Sequence, residues 1–241
     1  MRRPHRTKAS PAPSRQTRLD ALRGVAILMM VAFHTCYDLT HFGYAHFRML
    51  EDPFWTTWRT LIVSCFVFLA GASQQLSLAG SQRSFYTRLA QVGGCAVLVS
   101  LVTLALFGTR WIYFGVLHFF TLAALLTRPV LSRPAILGWG GVGLLLLAQV
   151  LASPLMDSRP LNWIGLAAHK PATEDYAPLV PWLGLYWLGA WLQLRFPHWS
   201  GAQALTSARP TRLFALLGRH ALLIYMLHQP LLFGLMSAFR L

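Results

Sequence analysis

Seven apolar runs alternate with short polar or proline-bearing stretches along the chain: Asp20 to Leu39, Trp58 to Leu78, Phe85 to Phe107, Tyr113 to Leu126, Ala135 to Ala152, Leu179 to Leu194 and Leu213 to Met236. Helical runs of about 18 residues or more can cross a hydrocarbon core of about 30 Å. The fourth and sixth runs are shorter and suit tilted or partly buried helices. The pattern predicts an all-α, polytopic transmembrane helical bundle of about seven spans. Neither an internal repeat nor a glycine-rich phosphate loop interrupts it.

The first run departs from a plain lipid-facing helix. At 100° per residue, Asp20, Arg23, His34 and Asp38 fall within an arc of about 60°. At about 1.5 Å of rise per residue, His34 stands roughly 16 Å beyond Arg23, near or past mid-membrane. Ionisable groups at that depth usually face a bundle interior or a wet cavity.

Composition agrees with a membrane domain, with 55% hydrophobic and 12% charged residues in 241 and a mean hydropathy of +0.48. A formal charge of +14 raises nucleic acid as a partner. The basic residues instead collect between alternate spans, among them Arg83, Arg88, Arg128, Arg133, Arg195 and Arg212, while Glu51, Asp52, Asp157, Glu174 and Asp175 fall on the opposite side. The positive-inside rule then sets the N-terminus in the cytoplasm, and the charge is a topology signal with anionic lipid as its partner rather than nucleic acid. The expected location is the cytoplasmic (inner) membrane. Residues 1–17 are basic and rich in Pro and Ser, and read as a disordered cytoplasmic arm ahead of a single domain over 18–241. The first run is too long for a signal-peptide core and no small-residue cleavage site follows it, so it is expected to be retained. Cys36, Cys65 and Cys95 lie in or beside spans and read as small apolar fillers.

His34 and Asp38 stand four residues apart, a spacing at which Asp38 can accept from one imidazole nitrogen and leave the other free as a base. A polar pair tying helix one to a neighbour is the structural alternative. His118 and His228 lie in or at the ends of later spans, where one hydrogen bond satisfies a neutral imidazole. Pro230 frees the carbonyl of Met226, so His228 and Gln229 sit beside exposed backbone polarity. HxxxH, HExxH and paired-cysteine spacings are missing, and no metal is expected. Arg23, with Arg83 and Arg88 at the same end, offers charge-assisted contacts to a phosphorylated cytosolic donor. The loops over 40–57 and 153–178 are aromatic, as interface belts are and as sugar-stacking surfaces are.

Five stretches carry a resemblance: LDALRGVAILMMVAFHTCYDL at 19–39, FVFLAGAS at 66–73, FGVLHFF at 114–120, DYAPLVPWLG at 175–184 and LGRHALLIYMLHQPLL at 217–232. Together they resemble bacterial proteins related to the catalytic domain of heparan-alpha-glucosaminide N-acetyltransferase, within the wider transmembrane acyltransferases. That resemblance implies a bundle that takes an acyl group, commonly acetyl, from cytosolic acyl-CoA and delivers it to a sugar or glycan hydroxyl or amine on the far side. It implies an essential histidine, matched by His34, with His41 and His46 in the first outer loop as rivals. Asp20, Asp175 and Tyr176 join His118, His228 and Gln229 as pocket candidates. The expected donor substrate is acyl-CoA, and the expected partners are the bilayer and a small-molecule or glycan acceptor, with a homo-oligomer left open. A transporter or flippase using the stripe as a proton relay, and a structural membrane protein, are the competing readings.

Overall fold

A computed structural model describes residues 17–200 and 209–238. The described residues form nine α-helices and no strand: α1 (Thr17–His41), α2 (Pro53–Leu76), α3 (Gln82–Phe107), α4 (Val116–Thr127), α5 (Gly141–Val150), the single turn α6 (Arg159–Asn162), α7 (Leu179–Arg195), α8 (Arg209–Arg219) and α9 (Ala221–Ala238). Four are long and apolar enough to cross a membrane: Thr17–His41, Pro53–Ala79, Gln82–Arg110 and Ala221–Ala238. Val116–Val130 and Ile136–Val150 are shorter apolar helices, the latter opening on a π-helical turn at Ile136–Gly140. The last apolar run, read as one span, is two helices that break at His220. The arm up to Gln16 lies outside the described residues, and Thr17 already belongs to α1.

Local chemistry fixes the ends. Asp52 caps α2, accepting from Phe54 N at 2.9 Å, with Pro53 in the first helical position. Ser81 caps α3, accepting from Ser84 N at 3.2 Å, and Gly108 ends it at φ 54°.

Packing is built on glycine. A Cβ on Gly24 would stand 1.9 Å from the carbonyl oxygen of Phe214, and one on Gly218 would stand 1.8 Å from that of Asp20, so α1 and α8 cross at backbone contact. The same reciprocal arrangement joins α2 to α7 through Gly71 and Gly189, at 1.9 Å from Tyr186 O and 2.1 Å from Phe68 O. It joins α5 to α7 through Gly141 and Gly184. Small residues that let helix backbones touch are the usual cement where lipid tails offer no hydrophobic contrast. Larger side chains fill the remaining space, with Ile27, Met30, Phe33, Trp55 and Ile62 between α1 and α2, and Val67, Phe119, Leu183 and Tyr186 among α2, α4 and α7. Leucines such as Leu101, Leu106 and Leu146 point outward, as a lipid-facing surface requires.

Candidate active site

The polar stripe of α1 is spent at two levels. Near its start, Arg23 pairs with Asp20 at 2.7 Å and donates to Ser73 Oγ of α2 at 2.6 Å. Asp20 also faces Arg219 of α8 at 3.6 Å. A planar guanidinium tied on two sides is held in one orientation.

Arg23 and Arg88 open onto a cavity of about 310 Å3 bounded by α1, α2, α3, α4, α7 and α9. Its walls are largely apolar, with Ile27, Phe66, Val92, Leu117 and Phe120 among them. It follows α4 from Ala124 back to Val116, a run of about 12 Å at 1.5 Å per residue. Arg83, grouped with Arg23 and Arg88 from the sequence, is exposed and lies outside the cavity lining.

Tyr225 of α9 forms the cavity wall beside Val116. Its hydroxyl donates to the Asp175 carboxylate, which also accepts from the main-chain N–H of Val116 at 2.8 Å and from that of Tyr176. Asp175 thereby caps α4, a favourable place for negative charge. Gly115 makes room for it, since a Cβ there would stand 2.3 Å from Asp175 Oδ2. Burial pushes the Asp175 carboxyl above its usual range, and the three donors pull in the opposite direction. Asp175→Ala is expected to cost about 2 kcal/mol, from a lost cap and an orphaned tyrosine hydroxyl, read as a lower unfolding temperature in detergent. Tyr176 donates to the carbonyl of Asn162 at 2.6 Å, and burial pushes its hydroxyl up to about 12.

Beyond Tyr225 stand the histidines. The His34 and His228 rings approach to 4.9 Å between centroids at 61°, and the His228 and Tyr225 rings to 5.8 Å. His228 Nδ1 lies 2.7 Å from the carbonyl oxygen of Tyr225. Among the described residues, His34 Nδ1 and His228 Nε2 are buried with no hydrogen-bond partner.

Asp38 corrects the sequence reading. Its carboxylate is buried and accepts from Gln229 Nε2 of α9 at 3.1 Å, and no His34–Asp38 hydrogen bond forms among the described residues. The i, i+4 spacing permits that bond, but α9 packs along α1 and brings Gln229 to Asp38 Oδ1, while Asp38 Oδ2 and His34 Nδ1 each stay without a hydrogen-bond partner among the described residues.

The remaining candidates stand apart. His118 accepts from Gly115 N at 3.2 Å on Nδ1, closing the first turn of its own helix α4, and meets Ser100 Oγ at 3.0 Å on Nε2, which ties α4 to α3. His41 is exposed and packs on Phe42 and Phe233, and His46 is exposed in the following loop. Among the described residues no three His, Cys, Asp or Glu side chains converge as a metal site would need. Of the outer aromatics, Trp55 and Trp58 stack on each other at 5.5 Å and pack edge-on against Phe33, so both join the core.

A histidine–carboxylate pair lies in the 153–178 loop. His169 donates to Asp157 through its ring, at 2.8 Å, and through its main-chain N–H, at 3.0 Å. These bonds hold the Asp157 carboxyl below the usual carboxylate range. A depressed carboxylate stabilises the loop above its unfolded pKa, and that contribution fades as pH falls through the folded value. In His169→Ala the Asp157 midpoint, followed by NMR, is expected to rise toward about 3.9.

Residues 15–230 match the family model described as heparan-alpha-glucosaminide N-acetyltransferase, catalytic. The chain belongs to that family. Comparisons with curated proteins and with solved structures give no match. The match spans α1 through the His228–Pro230 turn, so the Arg23 level, the cavity and the imidazole pair all lie within the acetyltransferase family's catalytic region. Ser73, Arg219 and Tyr225 are the site residues that sequence reasoning missed. Tyr225 precedes His228 by three residues, a helical spacing that puts both on one face. Ser73 and Arg219 carried no signal beyond lying inside the resembling stretches.

Proposed function

We propose that this protein is a membrane-embedded acyltransferase that moves an acyl group, acetyl in the simplest case, from cytosolic acyl-CoA to a sugar or glycan hydroxyl or amine on the opposite side. The supporting observation is the order of chemistry along one path. Two guanidinium groups stand at one end of a small apolar cavity, and the paired His34 and His228 rings stand just beyond the other end. A volume of about 310 Å3 is at the small end of ligand sites, suited to a slender arm rather than a whole nucleotide. In this reading Arg23 and Arg88 hold phosphate outside the apolar section by charge-assisted hydrogen bonds. The thioester reaches toward Tyr225, and a histidine of the His34 and His228 pair removes the proton of the acceptor. The family's acetyltransferase chemistry supports the donor class. N-terminus inside follows from the basic loops and sets the Arg23 end toward the cytosol.

The test uses the full-length protein in detergent with labelled acetyl-CoA. Acetyl-CoA is expected to raise the unfolding temperature, as any ligand of the native state does, and amino sugars are expected to accelerate release of free CoA. A protein that neither binds acetyl-CoA nor releases CoA with a panel of amino sugars and glycans refutes the reading. Movement of a solute across proteoliposomes without thioester cleavage would point to a transporter.

A further inference from the structure

The two histidines that face each other are not equivalent. His228 is 9% exposed, and its Nδ1 lies 2.7 Å from the main-chain carbonyl oxygen of Tyr225. The carbonyl of Ile224 bonds to the same ring. A carbonyl oxygen only accepts, so Nδ1 carries the proton, and in the neutral ring the lone pair sits on Nε2. That nitrogen is buried and has no hydrogen-bond partner among the described residues. The carbonyls belong to the helix that carries the ring, so the tautomer is set by backbone rather than by a mobile side chain. A buried acceptor held bare costs free energy unless something donates to it.

His34 lacks such an anchor. Its Nδ1 is buried without a partner, and Asp38, which the spacing offered as its orienting group, is bonded to Gln229. Its ring stands edge-on to that of His228. Around the bare Nε2 the charged or titratable neighbours are His34 and Asp38 of α1, Tyr225 on the same helix, and Asp175 behind the Tyr225 hydroxyl.

We propose that His228, rather than His34, is the base of the transfer, with the Tyr225 carbonyl fixing its tautomer and His34 acting as a positioning residue that packs against its ring. The assignment rests on the acyl-transfer reading above. Nε2 takes the proton from the acceptor O–H or N–H as the acceptor heteroatom bonds to the thioester carbon. The C–S bond breaks, and the imidazolium returns its proton to the departing thiolate, so the products are the acylated acceptor and free CoA thiol.

Two measurements on the full chain in detergent test this. In protein labelled with 15N at histidine and carrying His169→Ala, which removes the Nδ1–H that His169 donates to Asp157, an Nδ1-protonated neutral imidazole pattern is expected to vanish in His228→Asn and to persist in His34→Gln. Asparagine keeps an amide donor near the Nδ1 position, so the bond to the Tyr225 carbonyl and the fold are expected to survive; His228→Gln is the second variant should it not. With acetyl-CoA and glucosamine as probes, kcat is expected to fall about 100-fold or more in His228→Asn, with KM for acetyl-CoA unchanged and the pH dependence of the residual rate flattened. His34→Gln is expected to keep the wild-type pH profile. An Nε2-protonated His228, or a His228→Asn enzyme with the wild-type pH profile, overturns the assignment and leaves the acyl-transfer reading standing. A wild-type protein that does not bind acetyl-CoA removes both.

Discussion

Gly71→Ala is expected to lower the unfolding temperature in detergent by about 4 to 12 °C, the shift that corresponds to about 2 to 3 kcal/mol in a chain of this size. The added methyl group would stand 1.9 Å from the carbonyl oxygen of Tyr186, 2.8 Å from its carbon and 3.2 Å from the main-chain nitrogen of Ala190. All three are backbone atoms of α7, which no rotamer change can move aside. Relief requires α2 and α7 to separate, and Gly189, whose Cβ position lies 2.1 Å from Phe68 O, holds the same pair from the other side. Gly94→Ala is the matched control. It sits on an exposed stretch of α3 with nothing within 4 Å of the added methyl, and alanine is the better helix former by up to about 1 kcal/mol. One substitution made at two helical glycines is therefore expected to have opposite signs. Equal thermal shifts for the two variants would show that the interhelical contact is not the cause.

Arg23→Gln is expected to weaken acetyl-CoA binding by about 10- to 100-fold, the range for losing a hydrogen bond to a charged group. At saturating donor, kcat is expected to change little, because in the proposed reading the contact holds the donor equally in ground and transition states. Asp20 keeps Arg219 at 3.6 Å, so the variant does not strand a carboxylate without a cation. Arg83→Gln supplies the contrast, since Arg83 is exposed and outside the cavity lining. Isothermal titration with acetyl-CoA separates the two, and equal affinities for wild type and Arg23→Gln would remove Arg23 from the donor site.

The periodicity of apolar residues located every long helix, because segments in or under lipid are written in uninterrupted hydrophobic runs. It read across the break at His220, since LLGRHALL has only three polar or small residues between leucines and alanines. The 100° arc on α1 rightly grouped Asp20 with Arg23, whose pairing is a matter of one turn of helix. The i, i+4 spacing offered His34 and Asp38 a hydrogen bond that is not formed among the described residues, for a reason of the same kind. Local spacing says which bonds are geometrically open, but the choice among them belongs to the neighbouring helix, and Gln229 is 191 positions away. Asp175 shows this more fully. It is one of three acidic residues in the stretch 153–178, and its work as cap of α4 and partner of Tyr225 exists only once three distant segments meet.

The reciprocal glycine contacts also determine which parts of the bundle can yield. Where two backbones touch, sliding one past the other would drive carbonyl oxygens into Cα atoms, so α2, α5 and α7 form one stiff slab and α1 with α8 another. Helices α3, α4 and α9 meet these slabs through side chains, whose torsions are soft. The cavity lies along that compliant seam. In the proposed reading, admission of a donor corresponds to breathing of the staves between two boards, and amide exchange is expected to be slower along α2 and α7 than along α3.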